Sequence, residues 1–223
     1  MPSTREAMNI SIIGTKGAGK GTQVSRLVQD FNLLSFSSGE ALRNSIKEHT
    51  PCGIVAEKYA QRGEMVPDDI VNGAIHEWLQ TTSPAQGIMF DGFPRTTFQA
   101  AFLEETLKEM GRKFDAMIYL DVSDQEVIKR LADRRVCNLC REEFHLVSSP
   151  FKTCPKQKCE GQHLRRLDED RPEVISTLVK VFQRGIEPLL QYYEQTGRLI
   201  SVHTDAPIEE VHSAIVAALA KFK

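Results

Sequence analysis

Apolar residues along this chain fall into short runs separated by longer stretches of helical spacing. The runs at 9–13, 34–36, 87–90, 116–120 and 199–202 predict buried strands. Between them Val24, Leu27, Val28 and Phe31 recur at helical spacing, as do Phe98, Phe102, Leu103, Leu107 and Met110 over 98–110 and Ile208, Val211, Ile215 and Leu219 over 208–219. Large apolar residues so spaced are expected to face a core. The alternation predicts an α/β fold, a parallel five-stranded sheet with helices on both faces. Two segments interrupt it. Residues 37–67 form a polar, helix-rich excursion, and residues 133–170, dense in Cys, Arg, Lys and acids, read as an independent flap.

The first strand runs straight into Gly14-Thr15-Lys16-Gly17-Ala18-Gly19-Lys20-Gly21-Thr22, and a helix follows. A helix N-terminus offers unpaired N–H groups, and glycine lets the backbone close around an anion without a Cβ in the way. Lys20 puts a cation in the first turn, against the helix dipole, so an anion is expected there; the alternative is a plain flexible turn. The spacing Gly14-x4-Gly19-Lys20 is that of a phosphate loop, with Gly21 where Ser or Thr is usual and Thr22 one residue on. The third apolar run closes on Asp91, at the sheet edge beyond which ligands bind in open α/β sheets. Asp91 could hold Mg²⁺ through water, or cap the next turn. Arg95, behind Pro94, offers a fork of donors that matches phosphate, or is a surface arginine.

Composition narrows the classes. The chain has 223 residues, 41% hydrophobic and 26% charged, with a formal net charge of −2, which gives no general case for nucleic acid or anionic membrane. No apolar run approaches ~18 residues, and the start MPSTREA has no apolar signal core, so a cytoplasmic protein is expected. Four of the five cysteines cluster as Cys137-x2-Cys140 and, thirteen residues on, Cys154-x4-Cys159. Two such pairs suggest a tetrahedral structural Zn²⁺ site rather than disulfides, with His145, His163 or Asp168 as alternatives for the fourth ligand, and free thiols as the other possibility. Cys52 stands alone. The flap mixes acids with bases and holds only Phe144 and Phe151 as aromatics, which argues against a zinc-ribbon nucleic-acid module.

The glycine loop with KGT, SSGEALR at 37–43, DGFPRTTFQA at 91–100, RLADRRVCNLC at 130–140 and the acids Asp168 and Glu169 together resemble the adenylate kinase family, long form with a zinc-type lid, from about residue 9 to 220. That resemblance implies a core of 8–36, 68–132 and 171–223, a monophosphate-binding insert at 37–67 and a lid at 133–170. It implies reversible, Mg²⁺-dependent phosphoryl transfer from ATP to AMP giving two ADP, lid closure against water, no protein nucleophile and a monomer. By the same resemblance Gly17, Ala18, Gly19, Lys20, Gly21 and Thr22 bind ATP, with Arg130 and Arg134 from the lid side. Ser38, Arg43, Gly92, Arg95 and Gln99 bind AMP, Gln99 at the adenine edge. Lys20, Arg95, Arg130, Arg134 and Arg166 form the catalytic set.

Arg130 and Arg134 would share one face of a helix, disfavouring it by ~0.2–0.5 kcal/mol, which Glu126 could partly relieve. Four positions depart from the family pattern. Ser38 stands for threonine and Glu40 for aspartate; Lys16 stands for proline, and an arginine expected near Thr177 is missing. Loss of such a cation weakens transition-state stabilisation unless Arg171, Lys180 or Lys16 compensates. The rival readings are a kinase of another acceptor or donor, such as UMP/CMP or GTP, and a nucleotide-binding protein with weakened turnover.

Overall fold

A computed structural model of the chain describes residues 7–61, 66–83, 85–140, 142–146, 150–167 and 170–222, with the backbone alone at 172 and 173. The polar residues 1–6 and the acids Asp168 and Glu169 lie outside the described residues. The chain divides into two compact units, one of residues 1–14, 19–121 and 185–223, the other of 15–18 and 122–184.

The first unit is built on five parallel strands: β1 (Asn9–Gly14), β2 (Leu34–Ser37), β3 (Ile88–Asp91), β4 (Ala116–Asp121) and β8 (Leu199–His203), in the order β2-β3-β1-β4-β8. Every residue of β1 is buried, as a strand covered on both faces requires. Ile10, Ile12 and Ile13 of β1, Leu27 of α1 (Lys20–Phe31) and Met89 and Phe90 of β3 are all among the fully buried side chains. Each such side chain contributes about 1.5–3 kcal/mol over its exposed state. Helices α2 (Ser38–Lys47), α3 (Pro51–Gln61) and α4 (Asp68–Gln80) follow β2, α5 (Thr97–Glu109) follows β3, and α8 (Ile208–Leu219) follows β8.

The five predicted strands and the helices at 98–110 and 208–219 are present within about a residue of their expected bounds. Two predicted core positions are not. Phe98 is 61% exposed, because α5 turns Gln99, Ala100, Leu103, Thr106 and Leu107 inward, one residue round from the apolar stripe. Ile208 is 48% exposed: it is the first helical residue after Pro207, ahead of the turns that Val211, Ile215 and Leu219 pack.

The second unit holds α6 (Asp124–Ala132) and an antiparallel sheet of order β6-β5-β7, from β5 (Arg134–Cys137), β6 (Glu143–His145) and β7 (Leu164–Arg165). It also holds α7 (Pro172–Gln195) as far as Arg184. The expected helical i, i+4 pairing of Arg130 with Arg134 is overturned here. Helix α6 ends at Ala132, and Arg134 starts β5 opposite His145, so the two arginines occupy different elements.

Helices α2 and α3 approach at Gly53, where an added Cβ would lie 1.9 Å from the Ser45 carbonyl oxygen. No rotamer relieves a clash with backbone. Gly53→Ala is therefore expected to destabilise the protein by about 1–3 kcal/mol. A denaturant midpoint equal to that of the unchanged protein would contradict this packing.

Candidate active site

The glycine loop leaves β1 at Gly14 and enters α1 at Lys20. Gly17 and Gly19 have φ of +84° and +91°, values that a side chain resists. Gly19 caps α1 without a side-chain bond, and the first turn of α1 carries no acid, an arrangement compatible with an anion at the helix N-terminus. Lys20 folds back along the loop, donating from Nζ to the Gly14 carbonyl at 2.9 Å. Ala18 is buried, while Gly21 and Thr22 are exposed in the first turn.

Beside β1, β3 brings Asp91 to the C-terminal sheet edge, in register with Ile12 and with Ser37 of β2. Burial raises the Asp91 pKa, and the charges of Lys20 and Arg95 oppose that rise. Burial likewise lowers that of Arg95, with Asp91 opposing. The chain turns at Gly92 (φ +70°) and passes through a cis Phe93–Pro94 bond. This turn brings the Arg95 Nε to within 2.8 Å of the Gly92 carbonyl, which also accepts from the Ser38 hydroxyl at 3.4 Å. A Cβ on Gly92 would lie 3.2 Å from Arg95 Nη2, and one on Gly39 would lie 3.2 Å from Arg43 Nη1. Ser38, Gly92 and Arg95 are thus joined through one carbonyl, with Arg43 over the adjoining Gly39. Gln99 is tied in as well, accepting from the Arg95 N–H at 2.7 Å.

In the second unit, Arg130 donates from Nε to Glu126 at 2.9 Å, a pair within α6 with no helical Arg134 repulsion to relieve, and from Nη1 to the Gly17 carbonyl at 3.2 Å. Arg134 grips Asp170 with a fork, Nε to Oδ2 at 2.9 Å and Nη2 to Oδ1 at 3.2 Å. The Asp170 side chain is fully buried, and Lys16 Nζ lies 3.4 Å from its Oδ1. A lysine of the glycine loop and an arginine of β5 therefore share one buried carboxylate. Thr177, Arg171 and Lys180 are exposed, as is Arg166 after β7. Asp170 escaped the sequence analysis because, just ahead of Arg171 and Pro172, it reads as a helix-start acid.

The thiols of Cys137, Cys140 and Cys159 lie within 4.8 Å of one another, with Sγ–Sγ distances of 3.4 Å (Cys137–Cys159) and 3.9 Å (Cys140–Cys159). Cys154 is buried in the same cluster. The Cys140 N–H points at Cys137 Sγ (3.5 Å) and the Lys158 N–H at Cys154 Sγ (3.3 Å). Those backbone donors bring Cys137 and Cys154 down to about 7. Although the Gly161 amide favours its thiolate, Cys159 is pushed up to about 12 by burial and by the neighbouring thiols. Soft sulfur donors on two such turns fit a tetrahedral thiophilic cation. Neither His145, opposite Arg134 in the sheet, nor the exposed His163 joins the three-thiol group, and Asp168 lies outside the described residues. The lone Cys52 is half-buried on α3.

The adenylate kinase profile matches residues 12–198. The chain is 39% identical over 217 residues to the adenylate kinase of Archaeoglobus fulgidus, covering 97% of this chain and 100% of that protein. It is 38% identical over 213 residues to that of Syntrophobacter fumaroxidans (95% and 100%) and 36% identical over 219 residues to that of Bacillus subtilis (97% and 100%).

The raised Asp91 pKa has a consequence for stability. The folded protein holds that proton more tightly than the unfolded chain, so the stability the group contributes is full below the unfolded value of about 4 and is lost as pH rises through the folded one. Asp91→Asn is expected to melt higher than the unchanged protein at pH 7, with the two midpoints converging as pH falls toward about 4. Equal melting temperatures at pH 7 would contradict the burial cost.

Proposed function

The chain belongs to the adenylate kinase family, and on that premise we propose that it transfers the γ-phosphoryl group of ATP reversibly to AMP, giving two ADP. The observation that carries this reading is the joining of Asp91, Lys20 and Arg95 at the edge where the uncapped N-terminus of α1 opens. Phosphoryl transfer needs alignment and charge neutralisation rather than a protein nucleophile. In our assignment the backbone of Gly17, Ala18, Gly19 and Gly21, with Thr22 and the Lys20 ammonium, holds the donor phosphates. Ser38, Arg43, Gly92 and Arg95 hold the acceptor phosphate, and Gln99 reads the acceptor base. Arg130 at the base of the lid, and Arg134 and Arg166 within it, serve the transferring group; the lid, 133–170, closes to exclude water, while 37–67 encloses the acceptor against the core of 8–36, 68–132 and 171–223. Lys16 supplies a cation where the family's arginine is missing near Thr177.

Bound Mg²⁺ offsets charge on the donor phosphates, and Asp91, half-buried and short of full compensation by Lys20 and Arg95, would hold it through water. Cys137, Cys140, Cys154 and Cys159 would hold a structural Zn²⁺ that braces the flap, whose buried cluster is small. Among the described residues no helix is long and apolar enough to cross a membrane. We assign the protein to the cytoplasm, where its thiols stay reduced, as a monomer.

Product analysis with MgATP and each of AMP, UMP, CMP and GMP tests the assignment. ADP should form with AMP, and Arg95→Ala should lower the rate by about 10²–10³. Preference for another acceptor would overturn the substrate assignment, and nucleotide binding without turnover would overturn the activity. Metal analysis should find zinc, whose chelation lowers the melting temperature by several degrees; an unchanged melting temperature after chelation would sink the structural role.

A further inference from the structure

We propose that Asp68, which no sequence motif singles out, selects the acceptor base: by fixing the orientation of the Gln99 amide it favours a 6-amino over a 6-oxo purine monophosphate. The proposal rests on the assignment of Gln99 to the acceptor base.

Asp68 opens α4, and both of its oxygens are committed to the start of α5. Its Oδ1 accepts from Gln99 Nε2 at 2.6 Å and its Oδ2 from the Thr96 hydroxyl at 2.7 Å. On the other side of the amide, Gln99 Oε1 accepts from the Arg95 main-chain N–H at 2.7 Å. The Gln99 N–H in turn donates to Thr96 Oγ1 at 3.1 Å, which closes the clip.

The nitrogen and oxygen of a side-chain amide are nearly the same shape, so its orientation is set by its partners. Here both partners work in one direction. A main-chain N–H can only donate, and an ionised carboxylate can only accept. Turning the amide over would place Oε1 against the Asp68 carboxylate and Nε2 against the Arg95 N–H, exchanging two good bonds for two repulsions. Gln99 is 4% exposed, so water offers little compensation.

The held amide keeps one lone pair on Oε1 and one N–H on Nε2, in a fixed order. Oε1 can accept from an exocyclic 6-amino group while Nε2 donates to the neighbouring ring nitrogen. A 6-oxo purine would set two oxygens face to face. An amide free to rotate would accommodate it by presenting Nε2 instead. The Arg95 N–H alone leaves that rotation less well defended, and the Asp68 carboxylate blocks it. Asp68 is in this sense a positioning residue, acting through Gln99.

The test compares AMP with IMP as acceptors for the full chain and for Asp68→Asn, whose side chain can either donate to or accept from Gln99. The ratio of kcat/KM for AMP over IMP should fall by about tenfold or more in the variant, on the scale of one lost bidentate discrimination. The change should sit in KM for the acceptor and leave KM for ATP unmoved, a split that general loosening would not produce. Asp68→Glu, which keeps a carboxylate acceptor, should retain more of the preference than Asp68→Asn. Should Asp68→Asn fail to fold by circular dichroism, Asp68→Ser carries the same comparison, since a hydroxyl also donates and accepts. An unchanged AMP-to-IMP ratio in a folded, active variant would overturn the proposal, as would loss of all acceptor binding with the fold retained. An unchanged protein with no preference for AMP would instead sink the Gln99 assignment, a result read before any variant is made.

Discussion

A strand covered on both faces has nowhere to put polar chemistry except its ends. All six residues of β1 are buried, and β3 is buried up to Asp91, so the functional groups of this sheet are driven to the C-terminal edge. Everything that follows depends on that confinement. The glycine loop continues β1, the Gly92 turn continues β3, and the N-terminus of α1 is left uncapped at the place where the strands run out. Asp91 ends up half-buried there, where burial raises its pKa and the charges of Lys20 and the exposed Arg95 oppose the rise.

The second unit meets the same problem differently. Asp170 has no exposure at all, and a carboxylate so placed survives only with partners. Among the described residues Lys16 and Arg134 serve, one from the glycine loop and one from β5. Arg134 also reaches a second acid, the exposed Glu143, 3.4 Å from its Nη1, so the two cations are matched by two carboxylates, one buried and one at the surface. In the flap, Phe144, Phe151 and Leu164 pack against the cysteine cluster, and two short turns aim N–H groups at sulfur.

The inner strands β1, β3 and β4 were legible in the sequence because burial leaves a largely apolar run, the edge strands β2 and β8 through shorter runs broken by Ser35 and Ser201, and the glycine loop because its backbone needs are met by few residues. Phe98 misled because a single aromatic at the right spacing cannot say whether the stripe is centred on it or one residue away. Arg134 misled because spacing of four describes a helix only while the helix lasts, and α6 ends two residues earlier. Asp68 and Asp170 were illegible for a different reason. Each looks like an acid at a helix start, and its importance lies in distant partners, 28 and 31 residues away for Asp68, and Arg134 and the still more distant Lys16 for Asp170.

The central position of β1 also sets a timetable. It is made before either of its neighbours: β3 begins only at Ile88 and β4 at Ala116. At about 5–20 residues per second, the ribosome leaves β1 without a hydrogen-bonding neighbour for roughly 4–15 s after Gly14 emerges. During that interval Ile10, Ile12 and Ile13 are a sticky, unpaired segment. A strand flanked on both sides in the finished sheet is therefore the one that waits longest, during synthesis, for a partner to pair with.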